Sequence, residues 1–218
     1  MLQTKLYTGS DFPELLDETS GKFIKLPEKF SLEGFEPSQN PMVPMVHKDY
    51  VFTKSLFRDV ALFLARPHGH ALWLAGPTGS GKTSVITELA GRLNYPVYSI
   101  TCNSRMEFDD LVGRPMVISK PGEQPSVKFI YGPLARAMKS GGILLLNEVD
   151  LCDPAQLSGL NDVLEGRPLT ITQNGGEQIQ PHPMFRVVVT ANSAGNGDET
   201  GSYTGVLSQT SLRWTVTD

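Results

Sequence analysis

Apolar and polar positions along the chain alternate in a way that predicts strands and helices in turn. Four short apolar runs bounded by glycine, proline or polar residues have the character of buried strands. They cover residues 70–75, 97–100, 143–146 and 185–190. Between them, apolar residues recur at the three-to-four spacing of helices. The helices predicted cover residues 53–66, 84–93, 106–112, 132–138 and 154–164. Strands alternating with helices predict an α/β fold with a parallel sheet and helices on both faces.

Three segments do not fit this alternation. Residues 116–118 with 127–130, and 169–172 with 178–180, flank turn-rich stretches and predict two β-hairpins. Residues 1–45 contain five prolines and little periodicity, so we expect an N-terminal extension that lies along the surface or is partly mobile. Its phenylalanines, Phe12, Phe23, Phe30 and Phe35, indicate that part of it docks on an apolar surface. The expected core is then 46–218.

The loop between the first predicted strand and the next helix fits the phosphate-binding pattern G-x-x-x-x-G-K-[ST] at every fixed position. Its residues are Gly76, Pro77, Thr78, Gly79, Ser80, Gly81, Lys82 and Thr83. Glycines let the backbone wrap an anion, which then sits at the positive end of the following helix. Lys82 is expected to reach the β- and γ-phosphates, and the Thr83 hydroxyl to ligate Mg²⁺. A glycine-rich turn that binds nothing is the alternative, and the strand–loop–helix context disfavours it.

The run at residues 143–146 leads into Asn147 and Glu148, where a nucleotide hydrolase places acidic residues. Asn147 offers an amide oxygen to the metal but no charge, which predicts weaker Mg²⁺ binding. Glu148 is the candidate carboxylate that activates water. Asp150 could assist at the metal, and helix capping by Asp150 or Asp153 stays open as an alternative.

Asn192 follows the last clear strand. Ligands of open parallel sheets sit beyond the carboxyl ends of the strands, and Lys82, Glu148 and Asn192 all fall there. Asn192 is therefore predicted to orient the γ-phosphate or the attacking water, the alternative being a turn residue. The stretch from Asn192 to Gly205 is rich in Gly, Asn, Ser and Thr and predicts a long functional loop.

An arginine after that loop, Arg213, is a candidate arginine finger that reaches a neighbouring subunit's nucleotide. Beside Trp214 it could equally be a surface or stacking residue. Arg167 and Arg186 remain alternatives for the same role.

Composition narrows the function classes. The net charge is −4 and the basic residues are scattered, which disfavours nucleic acid as a partner. The two cysteines, Cys102 and Cys152, form no C-x-x-C pair, so we expect reduced thiols and no zinc site. No apolar stretch approaches the length of a membrane span and no signal peptide is evident. A soluble, cytoplasmic protein is expected.

Together these motifs resemble the AAA+ ATPases, specifically the MoxR-like branch of P-loop NTPases. The narrowest features are His182-Pro183-Met184-Phe185-Arg186 before Thr-Ala-Asn, and the Gly-Asp-x-Thr-Gly-x-Tyr segment at residues 197–203. The sequence is similar to the ATPase subunit of cobalt chelatase and to CbbQ/NorQ-type chaperones over residues 50–214.

The resemblance implies a hexameric ring that hydrolyses ATP with Mg²⁺ between subunits and remodels a partner protein, often one with a von Willebrand factor A domain. By motif match it gives Lys82 and Thr83 the phosphate and Mg²⁺ roles, Glu148 the catalytic role and Asn192 that of the sensor. Around Arg213 the chain lacks the family's Asp and is one residue shorter. The family's small helical lid would follow, whereas the chain stops at Asp218, so a core without a lid is expected, the alternatives being a naturally abbreviated protein or a truncated one.

Three functions are compatible with these observations. The first is an ATP-driven motor or chaperone that remodels a client, including by metal insertion, with the two hairpins as candidate pore or client contacts. The second is an ATP-binding scaffold or regulatory subunit with little hydrolysis, suggested by Asn147 and by the expected absence of a lid. The third is a nucleic-acid motor, which the acidic balance disfavours because phosphate binding needs Lys and Arg.

Overall fold

The computed structural model describes residues 2–119, 121–122 and 124–192, together with the backbone of Trp214–Thr217. The strands, in chain order, are β1 (Thr4–Thr8), β2 (Leu15–Asp17), β3 (Lys22–Ile24), β4 (Ser31–Phe35), β5 (Ala71–Ala75), β6 (Val97–Thr101), β7 (Gly113–Ile118), β8 (Ser126–Tyr131), β9 (Ile143–Asn147), β10 (Leu169–Ile171), β11 (Glu177–Ile179), β12 (Arg186–Ala191) and β13 (Trp214–Thr217). The helices are α1 (Lys54–Ala65), α2 (Lys82–Arg92), α3 (Phe108–Val112), α4 (Pro133–Ser140), α5 (Pro154–Leu157) and α6 (Gly159–Leu164).

The central sheet is parallel, with the strand order β13-β5-β12-β9-β6. Consecutive side chains of a strand point to opposite faces, and here both faces are covered. Leu144 and Leu146 of β9 pack in a cluster with α3, α4 and α6, whereas Ile143 and Leu145 pack in a second cluster with α1 and α2. This double burial explains why the strands read as unbroken apolar runs, and it confirms the predicted α/β sheet with helices on both faces.

Helix α1 follows Thr53 and ends two residues before Pro67, as its apolar spacing predicts. Val60, Phe63 and Leu64 are buried on the sheet side. Burying each such side chain contributes roughly 1.5–3 kcal/mol, which holds α1 against the sheet. Its first turn lies beside the loop after β5.

The helix predicted for residues 154–164 is observed as two helices, α5 and α6, which are joined at Ser158, and the backbone of Ser158 keeps helical angles of φ −59° and ψ −33°. The Ser158 hydroxyl donates to the Ala155 carbonyl oxygen at 2.8 Å, and its backbone N–H bonds the same oxygen at 3.4 Å. Such back-bonding competes with the regular helical ladder. Gly159 then passes so close to the Phe108 ring that a Cβ would lie 2.5 Å from it, so this packing requires a glycine at the start of α6.

Both predicted hairpins are confirmed. β7 pairs antiparallel with β8 from Gly113–Tyr131 to Ile118–Ser126, and β10 pairs antiparallel with β11. Each is a two-stranded sheet outside the central one. Lys120 and Glu123, in the predicted turn of the first hairpin, lie outside the described residues.

The N-terminal segment forms two antiparallel pairs, β1 with β4 and β2 with β3. Its side chains contribute to the same apolar cluster as α1 and α2. The predicted docking is observed for Phe12 and Phe35, which are buried, and for Phe30, which packs against them, but Phe23 is 56% exposed. The domain boundary at residue 45 stays a prediction. Across the described residues, no helix has both the length and the apolar character needed to cross a bilayer.

Candidate nucleotide site

The glycine-rich loop connects β5 to α2 with a backbone that favours glycine. Gly76, Gly79 and Gly81 have φ angles of 154°, 84° and 86°, and Gly81 is the N-cap of α2. A Cβ at Gly79 or Gly81 would meet nothing within 4 Å, so the space over the loop is open. The backbone thus presents the N-terminus of an eleven-residue helix to an open cavity, the geometry that binds phosphate.

Lys82 folds back over this loop. Its Nζ donates to the carbonyl oxygens of Gly76 at 2.6 Å and Pro77 at 2.9 Å, and to Asn192 Oδ1 at 3.5 Å. The side chain therefore already lies between the loop and the end of β12. If a phosphate oxygen lay here, Lys82 Nζ would donate to a charged acceptor instead of these neutral ones. Its hydrogen bonds would then be shorter and stronger.

The candidate metal ligands Thr83 and Asn147 lie next to one another. Thr83 Oγ1 donates to Asn147 Oδ1 at 3.0 Å, and Asn147 Nδ2 donates to Ser99 Oγ at 2.8 Å. The Ser99 contact fixes the amide so that its oxygen faces Thr83. Two neutral oxygens suit Mg²⁺, which keeps several waters and takes its other ligands from phosphates. In the described part of the chain, no group of three His, Cys, Asp or Glu side chains offers an alternative metal site.

Glu148 begins a tight turn at the end of β9. Its φ of 56° is left-handed, a conformation that costs a non-glycine residue about 1–3 kcal/mol and that clusters at functional sites. The backbone N–H of Glu148 donates to Thr190 Oγ1 at 3.3 Å, and the same hydroxyl contacts Asn147 Oδ1 at 3.4 Å. Thr190 of β12 therefore helps to hold Asn147, at the end of β9, and Glu148, which follows it.

Asp150 is fully buried, and its Oδ2 accepts a hydrogen bond from the backbone N–H of Asn192 at 2.9 Å. Of the two capping candidates, Asp153 is the cap: its Oδ1 accepts from Ala155 N at 2.9 Å at the start of α5. Asp150 instead fixes the end of β12. Sequence reasoning missed this role, and also that of Ser99, because both depend on which strands are neighbours.

One cavity of about 390 Å³ collects the predicted residues from separate segments. Its lining comprises Thr78, Gly79, Gly81, Lys82, Thr83, Ser84, Thr101, Asn147, Glu148, Thr190 and Asn192. A second cavity of about 280 Å³ lies on the other side of the loop, against the first turn of α1, and Lys82 lines both. The two cavities adjoin at Lys82 and the glycine-rich loop, which would bind an anion. The larger cavity also contains the Glu148 carboxylate and the Asn192 amide.

The structure describes two of the three candidate arginine fingers, Arg186 and Arg167. The Arg186 guanidinium is buried and donates to the carbonyl oxygens of Leu64, Pro183 and Phe185 at 2.8–3.0 Å. Arg186 is therefore not an arginine finger, because these bonds use it to tie β12 to the end of α1. Arg167 is exposed and paired with two neighbouring carboxylates. Arg213 and the segment 197–205 lie outside the described residues.

Comparisons with known proteins indicate the family of the chain. The family model described as "AAA domain (dynein-related subfamily)" matches residues 71–204. The aerobic cobaltochelatase subunit CobS of Sinorhizobium sp. is 31% identical over 80% of this chain and 52% of its own length. An uncharacterized protein of Staphylococcus haemolyticus is 32% identical over 68% of this chain and 56% of its own.

The chain spans about half the length of the curated relatives it matches. A solved structure from Cytophaga hutchinsonii superposes with a TM-score of 0.48 at 22% identity, over 64% of this chain and 38% of that chain. A likeness at that level adds nothing to the family match.

Proposed function

Because the chain belongs to the AAA domain family of the dynein-related subfamily, we propose that it binds and hydrolyses ATP. The membership agrees with the resemblance to the MoxR-like AAA+ ATPases. The observation that carries the proposal is the convergence of Lys82, Glu148 and Asn192, from three separate segments, on one cavity.

Binding is assigned to the loop of residues 76–83 and to α2. Backbone N–H groups around Gly79 and Gly81 and the helix N-terminus would hold the phosphates, with Lys82 adding charge. Thr83 and Asn147 would hold Mg²⁺, which when bound neutralises charge on the β- and γ-phosphates. Because Asn147 carries no charge, the phosphates and water supply most of the attraction for the cation.

Hydrolysis is assigned to the ends of β9 and β12. Glu148 accepts a proton from the attacking water and orients it, and the Asn192 amide contacts the γ-phosphate or that water. The Lys82–Asn192 contact of 3.5 Å places the amide beside the lysine that would meet the same phosphate. Arg213 is proposed to complete the site of a neighbouring subunit.

Our proposal for the activity of the whole protein rests on the family match and on the similarity to CobS. We infer a cytoplasmic hexameric ring that couples ATP hydrolysis to remodelling of a partner protein, with a von Willebrand factor A domain as the expected partner module. Metal insertion into the client is included because one relative is a cobaltochelatase subunit. The alternative is an ATP-binding scaffold with little hydrolysis, which the neutral Asn147 favours.

The test of hydrolysis replaces Glu148 by Gln, which keeps the side chain's size and removes its basicity. We expect turnover of Mg-ATP to fall by about 10²–10⁴-fold, the usual contribution of a general base, while ATP affinity stays within about twofold since the loop is intact. Glu165→Gln, at an exposed carboxylate paired with Arg167, is the matched control. Equal turnover in wild type and E148Q would refute the assignment.

A second measurement separates motor from scaffold. Specific activity that rises with protein concentration means that a neighbouring copy completes the site, as a ring with an arginine acting in trans requires. Tight ATP binding without turnover at any concentration, alone or with a partner, would favour the scaffold.

A further inference from the structure

A groove of about 800 Å³ lies between α1 and the N-terminal strands β2, β3 and β4. It shares no lining residue with the two cavities at the phosphate loop. Its floor includes the buried side chains of Leu15, Leu32 and Phe57. Apart from Ser31 and four cations, every residue of the lining is apolar. An apolar surface of this kind with a charged rim is typical of a binding site.

The charged residues that line the groove are all basic, although the chain as a whole carries a net charge of −4. They are Lys25, Lys54, Arg58 and Arg66. Within the described part of the chain Arg66 forms no ion pair, and the other three pair at 2.8–3.9 Å with carboxylates that do not line the groove. Those three side chains are 51–84% exposed, and ion pairs at such exposure contribute little. The four cations are therefore available to the carboxylates of a ligand.

Helix α1 contributes two neighbouring rows of side chains to the groove, because residues four apart lie on one face of a helix. The apolar row consists of Phe57, Ala61 and Ala65. The basic row consists of Lys54, Arg58, Leu62 and, just past the end of α1, Arg66. The two alanines leave room for another element to approach, and Leu62 is 60% exposed. From its first to its last residue the basic row covers twelve residues, or about 18 Å of helix.

We propose that this groove binds an acidic amphipathic helix of a partner protein. Apolar side chains of that helix fill the floor beside α1, and its Asp or Glu side chains pair with the basic row. A helix with several carboxylates can meet cations along about 18 Å, whereas the one carboxylate of a fatty acid can meet them at one end only.

The groove also continues past the end of α1. Leu62 and Arg66 line a second cavity of about 290 Å³ beside Pro67, where Asp59, the partner of Arg58, lies as well. The binding surface is therefore elongated along the helix, which suits a helical segment better than a compact small molecule. Neither this binding nor its test depends on ATP turnover.

The experiment selects binders to the full chain from a displayed library of amphipathic helices of about 18 residues, long enough to form helix in isolation. The library has apolar anchors at helical spacing and Glu, Gln or Lys at the flanking positions. We expect Glu to be enriched over Gln and Lys. A fluorescein-labelled copy of the most enriched peptide is then titrated by fluorescence anisotropy. Its affinity should fall as ionic strength rises, because salt screens exposed charges.

Two groove variants and a control locate the binding. Arg58→Glu with Arg66→Glu should weaken peptide binding by about tenfold or more, because each exposed ion pair contributes up to about fivefold and the reversed charges repel the peptide. Leu62→Gln removes an apolar contact without changing charge and should also cost about tenfold or more. Lys48→Glu with Arg105→Glu makes the same change of net charge at exposed residues outside the groove and should leave the affinity unchanged. Thermal unfolding checks that each variant is folded.

Several outcomes would overturn the acidic helix as the occupant. Enrichment of Gln or Lys at the flanking positions, or of no peptide, is one, and equal affinity of the wild type and both groove variants is another. A dansyl-labelled fatty acid that binds the wild type but not Leu62→Gln, where no peptide binds, would assign the groove to a lipid. Dimers of the wild type that Leu62→Gln does not form would assign it to a second copy of the chain.

Discussion

Replacing Asn147 by Asp restores the charge that other nucleotide hydrolases place at the metal, and the structure predicts the size of the effect. Asn147 Oδ1 lies 3.0 Å from Thr83 Oγ1, so a cation that Thr83 ligates, and that contacts residue 147 through a bound water, would lie about 4 Å from the new carboxylate. Unit charges at about 4 Å interact by about 1 kcal/mol at the dielectric of water, and a divalent cation doubles this to about 2 kcal/mol. The cavity is open, so this lower limit applies; it corresponds to roughly 30-fold tighter Mg²⁺ binding.

The assay measures ATP turnover and ATP binding as functions of free Mg²⁺ concentration. The half-saturating Mg²⁺ concentration of N147D should fall by roughly 30-fold, as calculated from Coulomb's law. Without Mg²⁺, N147D should bind ATP more weakly than the wild type, because the new carboxylate repels the nucleotide phosphates. Ser99→Ala is the control, since it removes the Asn147 Nδ2 partner without adding charge. A half-saturating Mg²⁺ concentration within twofold of the wild type, in folded N147D, would refute the assignment of Asn147 to the metal.

Three further changes test other parts of the structure. Asp150→Ala removes the acceptor of the Asn192 N–H, so kcat should fall while KM for ATP stays unchanged. Asp150→Asn can still accept that bond and should recover part of the lost kcat. Equal kcat in the wild type and both variants would contradict this role. Gly81→Ala should cost about 1–2 kcal/mol in urea unfolding, because its φ is left-handed, and should weaken ATP binding because the strained loop no longer holds its backbone N–H groups in place. Burial alone would raise the pKa of Glu88, but hydrogen bonds from Arg92 and His47 outweigh it and lower the pKa. The stabilisation by Glu88 is thus present at neutral pH and lost as pH falls through that lowered pKa. In Glu88→Gln, the free energy of unfolding should therefore depend less on pH in the acid range. At pH 7 it should be about 3 kcal/mol lower than in the wild type.

The sequence was sufficient for the elements whose signals are local. Runs such as residues 143–146 predict buried strands because every side chain is apolar, and the glycines at 76, 79 and 81 predict the loop because few other residues adopt its backbone angles. The order of these elements also predicts that residues beyond strand ends converge. Lys82, Glu148 and Asn192 indeed line one cavity.

Features that depend on contacts between distant segments could not be read in the same way. One such feature is the close packing of Gly159, at the start of α6, against the ring of Phe108, which no spacing within residues 154–164 reveals. Arg186 remains a candidate arginine finger by sequence, yet in the structure it is buried and donates to a carbonyl oxygen of α1. Asp150 is ambiguous for the same reason: its partner, the Asn192 N–H, belongs to a strand that becomes its neighbour only in the folded sheet.

The two halves of the site are held by different physical means, and this difference predicts that they fail separately. The phosphate loop is fixed by its own backbone, through left-handed glycines and the start of α2. Glu148 and Asn192 are fixed by contacts across strands, through the Thr190 hydroxyl and the buried Asp150 carboxylate. A change between β9 and β12 therefore moves hydrolytic groups while the loop keeps its shape. Perturbations at Asp150 should lower kcat before ATP affinity, whereas changes in the loop should lower ATP affinity first.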